Sequence, residues 1–307
     1  MPKQIPAAAK RKMRYTKMHG AGNSFILTEN LHGELEGKDL SILALRLCDP
    51  VSGPGADGMI VVVPGMADAD FGMRFYNADG SLGEMCGNGA RCIARYGVEH
   101  GLAPDPEHIR IVTTAGLVLG RRITTELYEV RLNDPTVIVL PCEAVVGAET
   151  IRCSYVELGS PGIPHAVVLT EASALENLPA LRERARALRH SPSFPKGANV
   201  TFACLIGEAE VRAVTFERGV EDFTLACGTG CGATAVSLIL GGFIPGESLT
   251  VDMPGGQLRV RLRRTGDSVS DILLTGPTAI VSEGELDADA VLTEYRRSPF
   301  YGRQQQF

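Results

Sequence analysis

Two cysteines, Cys86 and Cys227, each open a glycine-rich turn: Cys86-Gly87-Asn88-Gly89 and Cys227-Gly228-Thr229-Gly230. A cysteine at a helix N-terminus lies beside unpaired backbone N–H groups and the positive end of the helix dipole. Both effects favour thiolate over thiol. The glycines leave the backbone bare, so a ligand carboxylate can approach those N–H groups closely. One carboxylate gripped between two such turns would place its α-carbon between two sulfurs. One thiolate then removes a proton from one face while the opposing thiol supplies a proton to the other. The N–H donors would stabilise the developing carbanion through its carboxylate, which removes the need for pyridoxal phosphate or any other cofactor. The expected chemistry is inversion at a carbon, with Cys86 and Cys227 as acid and base. Cys48, Cys142, Cys153 and Cys204 read as small core residues. Zinc is not expected. The pairs Cys86 with Cys92 and Cys227 with Cys231 are spaced more widely than the short knuckles of structural zinc sites.

Short β-type runs dominate the elements that must position these turns: residues 14–18, 59–63, 73–76, 109–113, 128–132, 165–169, 211–216 and 258–263. In the last, Leu258, Val260 and Leu262 alternate with Arg259, Arg261 and Arg263, the pattern of a sheet wet on one face. Such sheets are usually antiparallel. Three helices are expected. The stretch 181–189 alternates Leu and Ala with Arg and Glu as a surface helix does, whereas 88–96 and 229–240 have no polar face and read as buried helices. The segment around Cys86 is echoed around Cys227 at a separation of 141 residues. Two similar halves follow, each wrapping strands round a buried helix, with a junction near Asn133-Asp134-Pro135. The expected fold class is α+β, with two pseudo-symmetric domains, each a barrel-like, mostly antiparallel sheet around a central helix.

The chain has 307 residues, ample for a core without disulfide or metal staples. A formal charge of −6 argues against a phosphate-tracking surface, so no nucleic acid is expected as partner. No window is apolar enough to span a bilayer. The basic start, with Lys10-Arg11-Lys12, has no apolar stretch behind it and reads as a tail, not a secretory signal. Reduced thiols in a cytoplasmic protein are the expectation for the eight cysteines.

An ordered set of motifs is similar to those of the diaminopimelate epimerases. They stand here as Met18-His19-Gly20-Ala21-Gly22-Asn23-Ser24-Phe25, Gly55-Ala56-Asp57-Gly58, Phe75-Tyr76-Asn77-Ala78-Asp79-Gly80-Ser81 and Glu84-Met85-Cys86-Gly87-Asn88-Gly89-Ala90-Arg91. Later come Pro164-His165-Ala166-Val167, Asn199-Val200-Thr201-Phe202, Glu217-Arg218-Gly219 and Ala226-Cys227-Gly228-Thr229-Gly230. The resemblance implies a tail over 1–12, one domain over 13–133, a second over 134–275, and a return of 276–307 to the first. It implies that Gly87, Asn88, Gly228 and Thr229 hold the carboxylate at the reacting centre of a small amino-acid substrate. Asn23, Asn77, Asn199, Glu217 and Arg218 would receive the rest of that substrate. His165 near the first cysteine and Glu217 near the second would help ionise or orient the thiols. A homodimer is expected by resemblance alone. Asp57 and Asp79 read as turn-formers.

One departure bears on substrate. The family usually carries Gly-Asn-Pro-His where this chain reads Gly162-Ile163-Pro164-His165. The missing amide is a contact at the far end of diaminopimelate. Its loss removes a hydrogen bond of roughly 1–3 kcal/mol. The alternatives are a racemase for another amino acid, such as histidine, on the same scaffold, and a redox or metal-binding thiol protein using the same cysteines.

Overall fold

The structure, a computed structural model, describes residues 12–83 and 86–297. Residues 1–11, Glu84-Met85 of the first cysteine motif and the C-terminal Gln304-Gln305-Gln306-Phe307 lie outside the described residues. The chain runs β1 (Met13–Gly20), β2 (Asn23–Glu29), α1 (Leu40–Cys48), β3 (Gly58–Pro64), β4 (Phe71–Asn77), β5 (Leu82–Gly83), α2 (Gly87–Glu99), β6 (Ile109–Thr113), β7 (Gly116–Arg122) and β8 (Leu127–Arg131). It continues through β9 (Pro135–Val146), β10 (Glu149–Leu158), β11 (Ile163–Leu169), α3 (Ala172–Leu175), α4 (Leu178–Arg189), β12 (Asn199–Gly207), β13 (Glu210–Glu217), β14 (Asp222–Thr224), α5 (Gly228–Leu240), β15 (Ser248–Met253), β16 (Gly256–Thr265) and β17 (Ser268–Pro277). β18 (Ala279–Leu286) and α6 (Ala288–Arg297) follow.

The strand pairings repeat. β2 runs parallel to β3 as β11 does to β12, and β4 runs parallel to β6 as β13 does to β15. The hairpins β3–β4, β4–β5, β6–β7 and β7–β8 match β12–β13, β13–β14, β15–β16 and β16–β17. β18 lies against β1 as β9 lies against β10. The two sets meet where β8 pairs with β17, each the last strand of its set. Most pairings are antiparallel, as the alternation of β16 implies. The parallel pairs are those bridged by helical crossovers or longer connections, which local sequence patterns do not reveal.

The two cysteine helices sit where an all-round apolar helix must. In α5, Val236, Leu238 and Ile239 are buried on every side, each worth about 1.5–3 kcal/mol on burial. α2 is buried from Gly87 through Ala94. α4 begins three residues before the expected start because Asn177 caps it, its side chain accepting from the Ala180 N–H. α1, not among the expected helices, is a continuous apolar run whose periodicity reads equally well as a buried strand. Asp39 decides it, accepting from the Ile42 N–H. At the seam between the strand sets, the buried Glu129 accepts from Arg121 at 2.7 Å, Thr275 at 2.8 Å and Arg261 at 3.0 Å. Burial alone would raise its carboxyl, but these bonds outweigh it and hold the group below the usual carboxylate range. Among the described residues no helix is long and apolar enough to cross a membrane.

Candidate active site

Cys86 and Cys227 are the N-caps of α2 and α5. The two helix starts meet. A Cβ built on Gly228 would lie 3.5 Å from the Gly87 Cα, and the Asn88 Nδ2 donates across the junction to the Ala226 carbonyl at 2.9 Å. A Cβ at 228 would press on Leu274 Cδ2 at 2.8 Å, and one at 87 on the same atom at 3.3 Å. Cys86 is half-buried and its Sγ–H donates to Asn23 Oδ1 at 3.6 Å. Cys227 is buried; its sulfur accepts the Gly230 N–H at 3.4 Å and lies 3.6 Å from Thr229 Oγ1.

A cavity of about 700 Å³ opens on Cys86. Asn23, Asp57, Asn77 and Ser81 line it from one strand set, and Glu217, Arg218, Phe223 and Thr224 from the other. Polar groups on its first wall are preorganised by one another. Asn23 donates to Asp57 at 3.1 Å, and Asn77 donates to Ser81 at 2.9 Å, whose hydroxyl in turn donates to Asp79. Asp57 and Asp79 are therefore turn-formers that also brace the cavity wall. Glu217 accepts from the Thr224 hydroxyl and faces the Cys227 thiol.

The thiols differ from the expectation in one respect. Burial pushes Cys86 up to about 11, with the Gly89 and Asn88 N–H groups opposing it and Glu217 adding to it. Burial, then Glu217, also raises Cys227 well above its ordinary value. The helix N-terminus favours thiolate as expected, but the desolvation by burial is larger. Burial favours the thiol at both cysteines, and it also raises the Glu217 carboxyl towards the thiols it faces, which narrows the gap across which a proton would move.

Asn199 and His165 are placed differently from the other expected contacts. Asn199 is buried and spends its amide on backbone, accepting from the Arg218 N–H at 2.8 Å and donating to the Pro164 carbonyl at 3.2 Å. It fixes the strand ends that present Arg218 instead of lining the cavity. His165 pairs with Asn199 across β11–β12 and is wholly buried; among the described residues neither ring nitrogen has a hydrogen-bond partner, so it is bonded to neither cysteine. Arg91, Thr224 and Phe223 were not singled out as site residues by the sequence. Arg91 stands in the quoted motif, but an arginine in a helix ordinarily reads as solvated; Thr224 and Phe223 carry no local signal.

Burial, with Arg218 nearby, drives the His165 imidazole down to about 3 from 6.5. The unfolded chain takes up a proton below about pH 6.5 and the folded one does not until about 3. Stability is therefore lost as pH falls between those values, at up to about 1.4 kcal/mol per unit. Urea unfolding of a His165→Leu variant is expected to show a shallower loss from pH 6.5 to 4 than the parent; parallel curves would mean that His165 is not a buried neutral group.

Two cysteine-capped helices whose starts meet, one of the cysteines opening on a polar cavity, on a repeated sheet-and-helix plan, are the arrangement of an isomerase of the racemase and epimerase class. The fold is shared with a probable proline racemase from Agrobacterium radiobacter K84, solved with bound carbonate (TM-score 0.66, 17% identity, covering 89% of this chain and 92% of that one). It is shared also with a hydroxyproline epimerase from Agrobacterium vitis, solved with trans-4-hydroxy-L-proline (TM-score 0.65, 20% identity, 91% and 94%). Within that class, the family described as diaminopimelate epimerase matches residues 15–130 and 158–281, and the chain belongs to it. The diaminopimelate epimerase of Carboxydothermus hydrogenoformans is 35% identical over 282 residues, covering 89% of this chain and 99% of that protein. The diaminopimelate epimerase of Bacillus subtilis is 35% identical over 289 residues, covering 88% and 97%.

Proposed function

We propose that this protein interconverts LL- and meso-2,6-diaminopimelate by inverting one α-carbon, with Cys86 and Cys227 as the two bases and no pyridoxal phosphate. The observation that carries this reading is the direct junction of the two cysteine turns through Asn88 and Ala226, at one end of a cavity that also offers Arg218. The substrate's reacting carboxylate would lie against the N–H groups of Gly87, Asn88, Gly228 and Thr229, whose dipoles are fixed before the charge develops. Proton loss from Cys227 towards Glu217 gives a thiolate on one face, and the Cys86 thiol supplies the proton to the other. In the reverse direction the roles exchange. Arg218 is the fork-shaped cation that a second carboxylate needs, and Asn23 and Asn77 supply amide partners for the distal amino acid group. Asn199 acts by holding Arg218. Cytoplasmic synthesis of lysine and cell-wall precursors is the setting that this substrate implies.

Ile163 favours a second reading. It places an apolar side chain where the family usually has an amide, so another amino acid with a less polar far end is the competing substrate.

Proton NMR in D₂O decides between them. With reduced protein, LL-diaminopimelate is expected to lose its α-proton signal and L-histidine to keep it, and a Cys86→Ser control should exchange neither. Exchange with histidine alone would leave the two-thiol chemistry and replace the substrate; no exchange with either would overturn the catalytic reading.

A further inference from the structure

Arg91 is wholly buried in α2, four residues beyond Gly87. Its Nη1 donates to the Gly87 carbonyl at 3.3 Å and its Nη2 to Asn88 Oδ1 at 2.8 Å, while Nε has no acceptor among the described residues. Among the described residues no carboxylate forms an ion pair with it. The titratable groups that face it are thiols: Cys92 and Cys86 of its own helix and Cys231 of α5. Backbone closes the other sides, since a Cβ on Gly276 of β17 would come within 3.0 Å of Nε and one on Gly20 of β1 within 3.4 Å of Nη2. A buried guanidinium without a counter-charge is costly, and ordinary stability offers no reason to keep one. A negative charge does arise beside it when a thiol of the site ionises.

The bonds made by Asn88 show how that cation reaches the reacting groups. Held by Arg91 through its oxygen, the amide donates to the Ala226 carbonyl, one residue before Cys227, and at 3.3 Å to Asn23 Oδ1, which also accepts from Cys86. Arg91 is thus one amide away from both cysteine turns. The opposing charge at the site is Glu217, which faces Cys86 and Cys227 from β13. We propose that Arg91 is a positioning residue for the inversion: its guanidinium orients the Asn88 amide that ties the two cysteine turns together, and its unpaired charge is the buried counter-cation against which the Cys86 thiolate forms.

This inference rests on the two-thiol reading of the site but not on the identity of the substrate. The test is therefore iodoacetamide alkylation of Cys86 in the full chain, followed against pH by mass spectrometry of the Cys86 peptide. Arg91→Gln keeps a donor for Asn88 without the charge; Arg91→Lys keeps the charge without the fork. The glutamine variant is expected to raise the alkylation midpoint by about one pH unit or more, so that labelling at pH 8 is about tenfold slower, while the lysine variant stays near the parent. In diaminopimelate turnover the glutamine variant should lower kcat more than it changes KM, with the same alkaline displacement of the pH profile. Arg91→Met, which removes charge and fork together and leaves Asn88 in place, should displace the midpoint the same way even if the glutamine variant does not fold. A folded glutamine or methionine variant with the parental midpoint, or equal shifts for glutamine and lysine, would overturn the assignment. Failure of diaminopimelate turnover with the midpoint shift intact would overturn the substrate alone.

Discussion

Serine at either Cys86 or Cys227 is expected to lower kcat for the proposed epimerisation by at least about a thousandfold in both directions, the range lost when a positioned acid or base is removed. An alcohol is far weaker as a proton donor and its conjugate base far harder to form than that of a thiol. Glu217 lies too low to generate an alkoxide even with its raised carboxyl. The loss should not come from unfolding. Each cysteine is a helix N-cap, and serine is among the preferred residues there. At 227 the hydroxyl would replace a sulfur that already accepts the Gly230 N–H. Thermal unfolding is expected at or above the parental temperature, with KM within a few-fold. A serine variant retaining more than a tenth of the parental kcat would remove that cysteine from the chemistry.

A single methyl at Gly255 should disable the site from a distance. Gly255 lies in the turn between β15 and β16, and its N–H donates to the Leu225 carbonyl at 2.7 Å. A Cβ there would lie 2.0 Å from the Ala21 carbonyl oxygen and 3.0 Å from the Leu225 Cβ. These are backbone atoms and a Cβ fixed by its own backbone, so the chain itself must shift. Ala21 and Gly22 already hold the positive φ values 51° and 81° of the tight turn into Asn23. Pushing that turn displaces Asn23, which accepts from both Cys86 and Asn88. Gly255→Ala is expected to cost about 1–3 kcal/mol in chemical denaturation and about a hundredfold in kcat/KM, as an ångström of misplacement does. Gly266→Ala in an open hairpin, with nothing near its Cβ, is the comparison and should leave kcat unaltered. Equal kinetics in the two variants would show that the turn does not position Asn23.

Much of this was legible in the sequence because the relevant signals are local. A Cys-Gly-x-Gly turn announces an exposed helix start wherever it is folded, and helices without a polar face have only one place to go. The alternating Leu258, Val260 and Leu262 mark one buried face in any sheet. What was not legible depends on tertiary neighbours. The thiol at a helix N-terminus is favoured as thiolate by its own turn, but Cys86 and Cys227 are desolvated by burial in the folded chain. Asn199 has the residue type of a ligand contact, yet Pro164 and Arg218, brought to it from other strands, use its amide. Arg91 reads as one more solvated cation until α5, β1 and β17 close around it. The parallel pairs depend on connections whose return path no short window contains.

The pairing of β18 with β1 has a consequence for how the protein is made. Met13 is matched with Leu286, so the strand set that carries Cys86 borrows its edge from the far end of the chain. The other set has no such debt: β9 directly precedes β10 and supplies its edge at once. On the ribosome the half synthesised first is therefore the half completed last, and β1 waits with one row of backbone donors and acceptors open until residue 286 has emerged. An open strand edge is a template for the wrong partner. The Cys86 half is where premature termination, slow translation or a shortage of chaperone would first show as aggregation, although the sequence that fails to arrive lies at the opposite end.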